Sequence, residues 1–319
     1  MSAIVVMFPA RGAAERPFGS VGRSWKVVFK RLASISCEDC TPSINAWIDG
    51  FLRGSHTASR SADIPHSRRK KMAQQVVLIT GALTGIGRAT AVAFAGKGAN
   101  VVVSGRHDDA GQALVTELRA RGAEAEFVRA DVQKEDDVRN LVDKTVARFG
   151  RLDVAVNNAG VEGDLGVIQD ATVENFRAVH DTNVLGVFLS MKHELRAMAG
   201  QGSGSIVNIA STYGHKAAAG ATAYVSSKFA VEGLTKTVAL EQGNSGIRVN
   251  AVGPGLTDTV MADRFTGTAE GNDALISTVP MRRRGTPEEL ANAIVFISSP
   301  EASYISGTVF EVDGGLSAT

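Results

Sequence analysis

The chain has 319 residues, of which 44% are hydrophobic, and its formal net charge is +1 at pH 7. Such a composition predicts a globular protein with a substantial core. The charge is unevenly placed, because residues 1–71 carry twelve basic and five acidic side chains, whereas the remaining residues carry 22 basic and 28 acidic ones. A mildly acidic main body argues against a nucleic-acid-binding surface.

Residues 1–71 are basic and irregular, and we interpret them as a disordered N-terminal extension or as a wrongly assigned start ahead of Met72. Cys37 and Cys40 have the CxxC spacing of a zinc half-site, but the sequence has no second CxxC pair. The segment is rich in arginine and serine, as transit peptides are, yet it has no amphipathic period. With no apolar run near the roughly 18 residues of a membrane span and no cysteine after Cys40, we expect a cytoplasmic protein without membrane contact.

From residue 75 onward, apolar runs of strand length alternate with longer helical patterns, as in parallel βαβ units. Strands are predicted at 76–80, 101–104, 126–129, 153–157, 205–210, 247–252 and 309–312. Helices are predicted at 86–97, 109–121, 135–149, 173–199, 223–242 and 287–298. Over residues 72–319 this order predicts one doubly wound, Rossmann-type α/β domain, with a seven-stranded parallel sheet between two helical layers. Such a sheet binds its ligand at the carboxyl ends of the strands.

The connection 255–285 shows no strong pattern, and we interpret it as a mobile loop that covers the substrate, because long loops in compact domains are usually functional. It contains Met261, Phe265, Leu275 and Ile276 and few charges in its middle. These side chains favour an apolar or mixed substrate.

A glycine-rich turn follows the first predicted strand, in the sequence TGALTGIG that begins at Thr80. Between a buried strand and a helix, such a turn predicts dinucleotide binding, because the backbone can approach a pyrophosphate at the helix N-terminus. The second strand ends at Gly105-Arg106, where an uncharged residue and an arginine favour the 2′-phosphate of NADP. The alternative is that Asp108 or Asp109 binds the ribose of NAD.

Tyr224 and Lys228 lie four residues apart, a spacing that places both side chains on one helix face. Bringing a phenol from its ordinary pKa of about 10 to near 7 takes about 4 kcal/mol. One cation at about 4 Å and an effective dielectric constant near 20 supplies about that much. The pair therefore fits a proton-transfer catalyst, although the spacing alone also fits an ordinary surface pair.

Read in order, TGALTGIG, the NNAG sequence at 157–160, Tyr224-xxx-Lys228 and Pro254-Gly255 resemble the short-chain dehydrogenase/reductase superfamily. The resemblance covers residues 75–319 and points to the branch whose chains have about 250 residues. It implies catalytic roles for Asn183, Ser211, Tyr224 and Lys228. It implies cofactor contacts for Gly81, Thr84, Gly85, Ile86, Gly87, Arg106, Asp131, Val132, Asn157, Asn158, Gly160, Tyr224, Lys228, Pro254, Gly255 and Thr259.

Individually, several of these residues have structural alternatives: Ser211 as a helix N-cap, Asn183 as a backbone partner and Asp131 as a turn residue. Two positions depart from the family pattern. Ala210 stands where many members have a second serine, and Thr84 stands where some NADP-dependent members have a basic residue. The second departure leaves Arg106 as the main support for NADP.

The resemblance implies an NADP-preferring oxidoreductase that interconverts a secondary alcohol and a ketone, with Tyr224 as acid and base. It also implies a homotetramer formed through the long helices at 173–199 and 223–242. The alternatives are an NAD-dependent dehydrogenase of the same family and a non-catalytic cofactor-binding protein. A sugar-nucleotide epimerase is disfavoured, because it needs a larger C-terminal domain. His180, His193 and His215 show no ligand-like spacing with carboxylates, so we interpret them as helix-face or loop residues, and nothing in the sequence indicates a catalytic metal.

Overall fold

The computed structural model describes residues 75–319. The predictions made for residues 1–71, including the CxxC pair, lie outside the described residues. Within the described part, no helix is long and apolar enough to cross a membrane.

The centre of the domain is a parallel sheet with strand order β3-β2-β1-β4-β5-β6-β7. The strands are β1 (Val76–Thr80), β2 (Asn100–Gly105), β3 (Ala125–Arg129), β4 (Val154–Asn157), β5 (Gly204–Ile209), β6 (Ile247–Pro254) and β7 (Val309–Val312). All five residues of β1 are buried, as expected for an apolar strand covered on both faces. The order reverses between β1 and β4, and that switch point is where doubly wound sheets bind ligands. The predicted fold class is confirmed.

The helices of the described part flank this sheet. They are α1 (Gly85–Ala95), α2 (Asp108–Ala120), α3 (Glu135–Phe149), α4 (Val173–His180), α5 (Gly186–Ala199), α6 (Thr222–Glu241), α7 (Val260–Thr266), α8 (Ala269–Thr278) and α9 (Pro287–Ser298). Alternate strand residues face opposite sides of the sheet. Ile79 packs in the core beneath α1, α2 and α9, while Leu78 packs in the core beneath α3, α5 and α6.

Two predicted elements differ from the structure. The predicted helix 173–199 is interrupted by a π-helical segment, Asp181–Leu185. The prediction of an irregular loop at 255–285 is wrong, because α7 and α8 occupy most of it. Threonine N-caps start both helices: Thr259 Oγ1 accepts from Ala262 N at 3.2 Å, and Thr268 Oγ1 accepts from Gly271 N at 3.1 Å. At seven and ten residues, they are too short to show a clear helical period.

Candidate active site

A cavity of about 540 Å³ lies beyond the carboxyl ends of the strands, between the glycine-rich turn and α7–α8. It brings together most of the predicted site residues, namely Gly81, Thr84, Gly85, Ile86, Arg106, Asp131, Val132, Asn158, Gly160, Ser211, Tyr224, Lys228, Pro254, Gly255 and Thr259. Gly87, Asn157 and Asn183 do not line it. A volume of this size fits a site for small molecules.

The glycine-rich turn has the shape that a pyrophosphate requires. Gly81 and Gly85 have φ values of +61° and +51°, and a Cβ at Gly81 would lie 2.7 Å from Ala159 Cα. Thr84 precedes α1 without a side-chain cap, so the first N–H groups of the helix are available to an anion. Gly87 lies behind the turn, where a Cβ would lie 2.4 Å from Asn158 Nδ2. The residues present therefore fit a dinucleotide.

Arg106 lines the cavity directly after the end of β2. It is exposed, and it has no hydrogen bond or ion pair with its side chain among the described residues. Asp108 instead faces Arg129, with 3.6 Å between the Arg129 Nη1 and Asp108 Oδ2 atoms. Neither Asp108 nor Asp109 lines the cavity. A guanidinium without a protein partner among the described residues therefore lies in the cavity wall after β2, while the neighbouring carboxylates do not.

The two asparagines of NNAG point in opposite directions. Asn158 lines the cavity, and its Nδ2 donates to Gly81 O at 2.8 Å, which holds the glycine turn against β4. Asn157 is 2% exposed and donates to Glu194 Oε2 at 3.1 Å and Asn208 Oδ1 at 2.9 Å. Asn157 therefore does not line the cavity, where the predicted cofactor contact would lie. It belongs to a buried polar network that joins β4, β5 and α5.

Ser211, Tyr224 and Lys228 meet in the wall of the cavity. Ser211 follows β5, and its Oγ accepts from Tyr213 N at 3.1 Å, so it also caps a short 3-10 helix (Thr212–Gly214). Tyr224 lies in the first turn of α6. Lys228 Nζ lies 5.6 Å from the Tyr224 ring centroid and donates to Ile209 O at 2.8 Å. The three groups come from the end of one strand and one face of one helix.

Burial dominates the titration of this pair. It raises the pKa of Tyr224 to about 12, although a hydrogen bond with Ser211 acts in the opposite direction. Burial also lowers the pKa of Lys228 to about 8. The sequence predicted that Lys228 lowers the tyrosine pKa, but the net shift in the chain itself is upward. The main reason is burial of the phenol, and the nearby charge of Glu162 adds to the upward shift.

Asn183 lies in the π-helical segment and is 1% exposed. Its Oδ1 accepts from Val161 N and its Nδ2 donates to Val161 O, both at 2.8 Å, and Nδ2 also donates to Ser227 Oγ at 3.0 Å. It therefore ties the segment after β4 to α6. Asp131 Oδ1 similarly accepts from Gln133 N at 3.2 Å, as a turn residue does, while lining the cavity.

Helices α7 and α8 provide the other wall of the cavity. Phe265 on α7 lies 5.8 Å from the Tyr213 ring and 6.0 Å from the Tyr224 ring, between centroids. Arg264 beside it donates to Glu162 Oε2 at 3.2 Å, and Glu162 is 8% exposed. The sequence did not single out Tyr213, Glu162 or Arg264 as site residues. Of the three, Tyr213 could have been found from its position two residues after Ser211.

The histidines lie on helices or in a loop, as predicted, with His180 on α4, His193 on α5 and His215 after the 3-10 helix Thr212–Gly214. His193 Nε2 lies 3.1 Å from Glu135 Oε1, and His215 Nδ1 lies 2.9 Å from Glu232 Oε1. Both histidines therefore have carboxylate partners, which come from other elements of the fold.

Comparison with known proteins agrees with this site. A family model described as enoyl-(acyl carrier protein) reductase matches residues 81–317. The 3-oxoacyl-(acyl-carrier-protein) reductase of Synechocystis sp. is 41% identical over 244 residues, which cover 76% of this chain and 96% of the relative. The cyclohexanol dehydrogenase of Acinetobacter sp. is 38% identical over 248 residues, which cover 78% of this chain and 97% of the relative.

Solved structures give the same result. A variant of actinorhodin polyketide ketoreductase with NADPH has a TM-score of 0.74 at 36% identity, and the match covers 78% of this chain and 99% of that one. The 3-ketoacyl-(acyl-carrier-protein) reductase from Brucella melitensis, complexed with NADH, has a TM-score of 0.72 at 33% identity, with 76% and 98% covered.

The chain thus belongs to the short-chain dehydrogenase/reductase superfamily. It is an NAD(P)-dependent oxidoreductase that acts on a hydroxyl or keto group of a small-molecule substrate.

Proposed function

We propose that the protein is an NADP-preferring oxidoreductase that interconverts a secondary alcohol and a ketone. The observation that carries this proposal is one continuous cavity, which runs from the free Arg106 guanidinium past the glycine-rich turn to Ser211, Tyr224 and Lys228. A cofactor-binding protein without catalysis would have no need to bring the last three side chains together at the end of that cavity.

A nicotinamide cofactor held along the glycine-rich turn and Lys228 would supply or accept the hydride, and in its oxidised form it would add positive charge near Tyr224. Tyr224 exchanges a proton with the substrate oxygen, and the Ser211 hydroxyl donates a hydrogen bond to the same oxygen. Because burial raises the pKa of Tyr224 to about 12, the phenol is protonated at neutral pH. The chain alone thus presents the acid that ketone reduction needs.

Alcohol oxidation needs the phenolate. Lowering a pKa of about 12 to near 7 takes about 7 kcal/mol. Lys228 Nζ lies 5.6 Å from the Tyr224 ring centroid, and a charged lysine at a similar distance from the phenolate oxygen would supply about 3 kcal/mol at an effective dielectric constant of 20. Further positive charge or a higher pH must supply the rest, so we propose reduction as the favoured direction at neutral pH.

Arg106 supports the NADP preference, since a charged hydrogen bond to a 2′-phosphate contributes about 1.5–3 kcal/mol. Replacing it (Arg106→Ala) should weaken NADPH binding by roughly 10- to 100-fold and NADH binding by less than about twofold. Dissociation constants measured by cofactor fluorescence test this directly. The control is Arg121→Ala, an exposed arginine that pairs with Glu117 away from the cavity. Equal losses for both cofactors with Arg106→Ala would refute the phosphate-binding role and favour an NAD-dependent enzyme.

The substrate end of the cavity is apolar and aromatic. It is lined by Tyr213, Met261, Phe265, Leu275 and Val279. The Phe265 ring faces the Tyr224 phenol, so the carbonyl oxygen must enter with an apolar group against this ring. We therefore propose a ketone carried on a compact apolar or cyclic group. The two relatives described above are named for a 3-oxoacyl carrier-protein substrate and for cyclohexanol, and both substrate types belong in the test.

A screen of carbonyl compounds tests the activity, with NADPH and NADH consumption followed by absorbance. It compares cyclohexanone and aromatic ketones with a 3-oxoacyl thioester. Preference for the thioester would contradict the substrate class, and no turnover with any carbonyl compound and either cofactor would contradict the enzymatic proposal.

We also propose that the protein is a homo-oligomer, most simply a tetramer, and that it is cytoplasmic. Support for association comes from large apolar side chains that remain exposed on α4, α5 and α6, among them Phe176, Phe188 and Phe229. Light scattering after size-exclusion chromatography and cell fractionation test these two proposals.

A further inference from the structure

Three side chains with metal-binding chemistry meet behind the active-site wall. His215 Nδ1 lies 2.9 Å from Glu232 Oε1 and 3.7 Å from Glu311 Oε1. One ligand atom from each residue lies within 4.8 Å of the other two. We call these residues the His–Glu–Glu cluster. None of them lines the cavity that contains Ser211 and Tyr224.

The fold brings the cluster together from three distant parts of the sequence. His215 directly follows the 3-10 helix after Ser211, Glu232 lies one helical turn beyond Lys228 on α6, and Glu311 lies on β7. Because β6 and β7 run parallel, Glu311 pairs with Gly253, the residue before Pro254. Two members therefore lie next to or on elements that carry active-site residues, and the third lies on the strand that pairs with the end of β6.

Two glycines make room for the carboxylates. A Cβ at Gly214 would lie 2.3 Å from Glu232 Oε1, and a Cβ at Gly253 would lie 2.4 Å from Glu311 Oε2. Real Cβ atoms do not approach other atoms so closely, so any larger residue would displace one carboxylate. The backbone therefore accommodates both carboxylates close to the imidazole.

One carboxylate oxygen of the cluster has no partner. Glu311 Oε2 is buried and makes no hydrogen bond within the described part of the chain. Glu232 is 5% exposed; its Oε1 faces His215, and its Oε2 accepts from Lys236 at 3.3 Å. A buried carboxylate oxygen without a donor is costly unless a water or an ion compensates it.

The surrounding charge is also incompletely balanced. Asp313 is a third carboxylate that acts electrostatically on Glu311, while burial is the main reason that the pKa of Glu311 rises to about 7. The cations that face the cluster are the imidazole, when protonated, and Lys236 on the outer oxygen of Glu232. A bound dication would compensate both carboxylates at once.

We propose that the His–Glu–Glu cluster binds one divalent cation of the Zn²⁺ class, through His215 Nδ1 and one oxygen each of Glu232 and Glu311. Ligand atoms about 2.0–2.2 Å from a tetrahedral zinc ion lie about 3.3 Å apart. The observed separations of 2.9 and 3.7 Å lie on either side of that value. His215 is exposed, which leaves the fourth position to water. The ion does not reach the substrate, so its role is to fasten the Ser211 loop, α6 and β7 together.

Zinc titration of the full-length chain tests this proposal, with a chromophoric chelator as competitor. Cys37 and Cys40 have the spacing of a separate zinc half-site, so the titration is repeated with both replaced by serine. We expect one tight equivalent to remain in that background. His215→Asn and Glu311→Gln should each weaken it by roughly 100-fold or more, since losing only an outer-shell partner of a ligand already costs about 10- to 100-fold.

The matched control is Glu135→Gln, which removes a half-buried carboxylate from a His193–Glu135 pair that has no second carboxylate in the described contacts. This variant should keep the tight equivalent. His215→Asn changes an exposed side chain, and unchanged NADPH binding verifies that it is folded. Zinc should also raise the Tm of the serine-substituted background but not of His215→Asn. Absence of a tight equivalent in the background, or equal zinc affinity in His215→Asn, would overturn the proposal and leave the histidine as a simple ion-pair partner.

Discussion

Glu194 provides a quantitative test of the buried network behind the NNAG sequence. It is 1% exposed, and burial raises its pKa to about 8 from an ordinary value of 4.5. Asn157 Nδ2 donates to its Oε2 at 3.1 Å, which offsets only part of that shift. The folded chain therefore carries a protonated glutamic acid at neutral pH, whereas the unfolded chain carries a carboxylate.

The sign follows from proton linkage. Between pH 4.5 and 8 the folded state holds a proton that the unfolded state has lost, so the free energy of unfolding falls as the pH rises. The 3.5-unit difference between the two pKa values corresponds to about 5 kcal/mol at about 1.4 kcal/mol per unit. Glu194→Gln keeps an amide oxygen as acceptor and cannot ionise. Its stability relative to wild type should therefore rise by about 5 kcal/mol from pH 4.5 to 8.

Urea denaturation at several pH values in this range measures that difference. The matched control is Glu174→Gln, because Glu174 is exposed on α4 and its replacement should give a nearly flat difference. A flat profile for Glu194→Gln as well would refute the assignment of a buried, protonated carboxyl.

Two further predictions concern turnover. Because burial raises the pKa of Tyr224, the rate of alcohol oxidation should increase as the pH rises from 7 to 10, whereas the rate of ketone reduction should not. Initial rates measured in both directions test this. Identical pH profiles for the two directions would contradict it. Phe265→Ala removes the ring that faces the phenol and should raise KM for apolar ketones by about 10-fold or more. The control is Phe296→Ala, which should leave KM unchanged, because Phe296 contacts Phe310 away from the cavity. An unchanged KM in Phe265→Ala would remove the main support for the apolar substrate class.

The strands were predictable because strands that are buried on both faces appear in the sequence as short apolar runs. The run Val76–Thr80 has no polar side chain before its last residue, and only a strand covered on both faces accounts for that. The Tyr224–Lys228 pair was predictable because helical spacing places both side chains on one face.

Other features depend on contacts that local sequence does not show. Asn157 is the last residue of β4 and is buried, whereas Asn158 follows the strand and lines the cavity, so one motif contains both a core residue and a cavity residue. The π-helical segment Asp181–Leu185 lies directly between two α-helices, so local sequence does not separate it from them, and the bonds of Asn183 to Val161 join parts of the chain 22 residues apart.

The His–Glu–Glu cluster joins positions 17 and 96 residues apart in sequence, and no local spacing predicts such a grouping. A related reason explains the Tyr224 pKa. The sequence predicted a downward shift, whereas the protein chain by itself shifts it upward. The prediction placed one cation about 4 Å away at an effective dielectric constant near 20, whereas the fold buries both the phenol and the ammonium.

The central claim is that Tyr224 is the proton-transfer group of an NADPH-dependent carbonyl reductase. The most direct test is turnover by Tyr224→Phe, measured together with its dissociation constant for NADPH. Tyr304→Phe is the matched control, because Tyr304 is fully exposed and far in sequence from the motif. Loss of a general acid should lower kcat by about 10²- to 10⁴-fold while NADPH binding stays within about threefold of wild type, since Ser211, Lys228 and the glycine-rich turn remain. Turnover by Tyr224→Phe within tenfold of wild type would contradict the account.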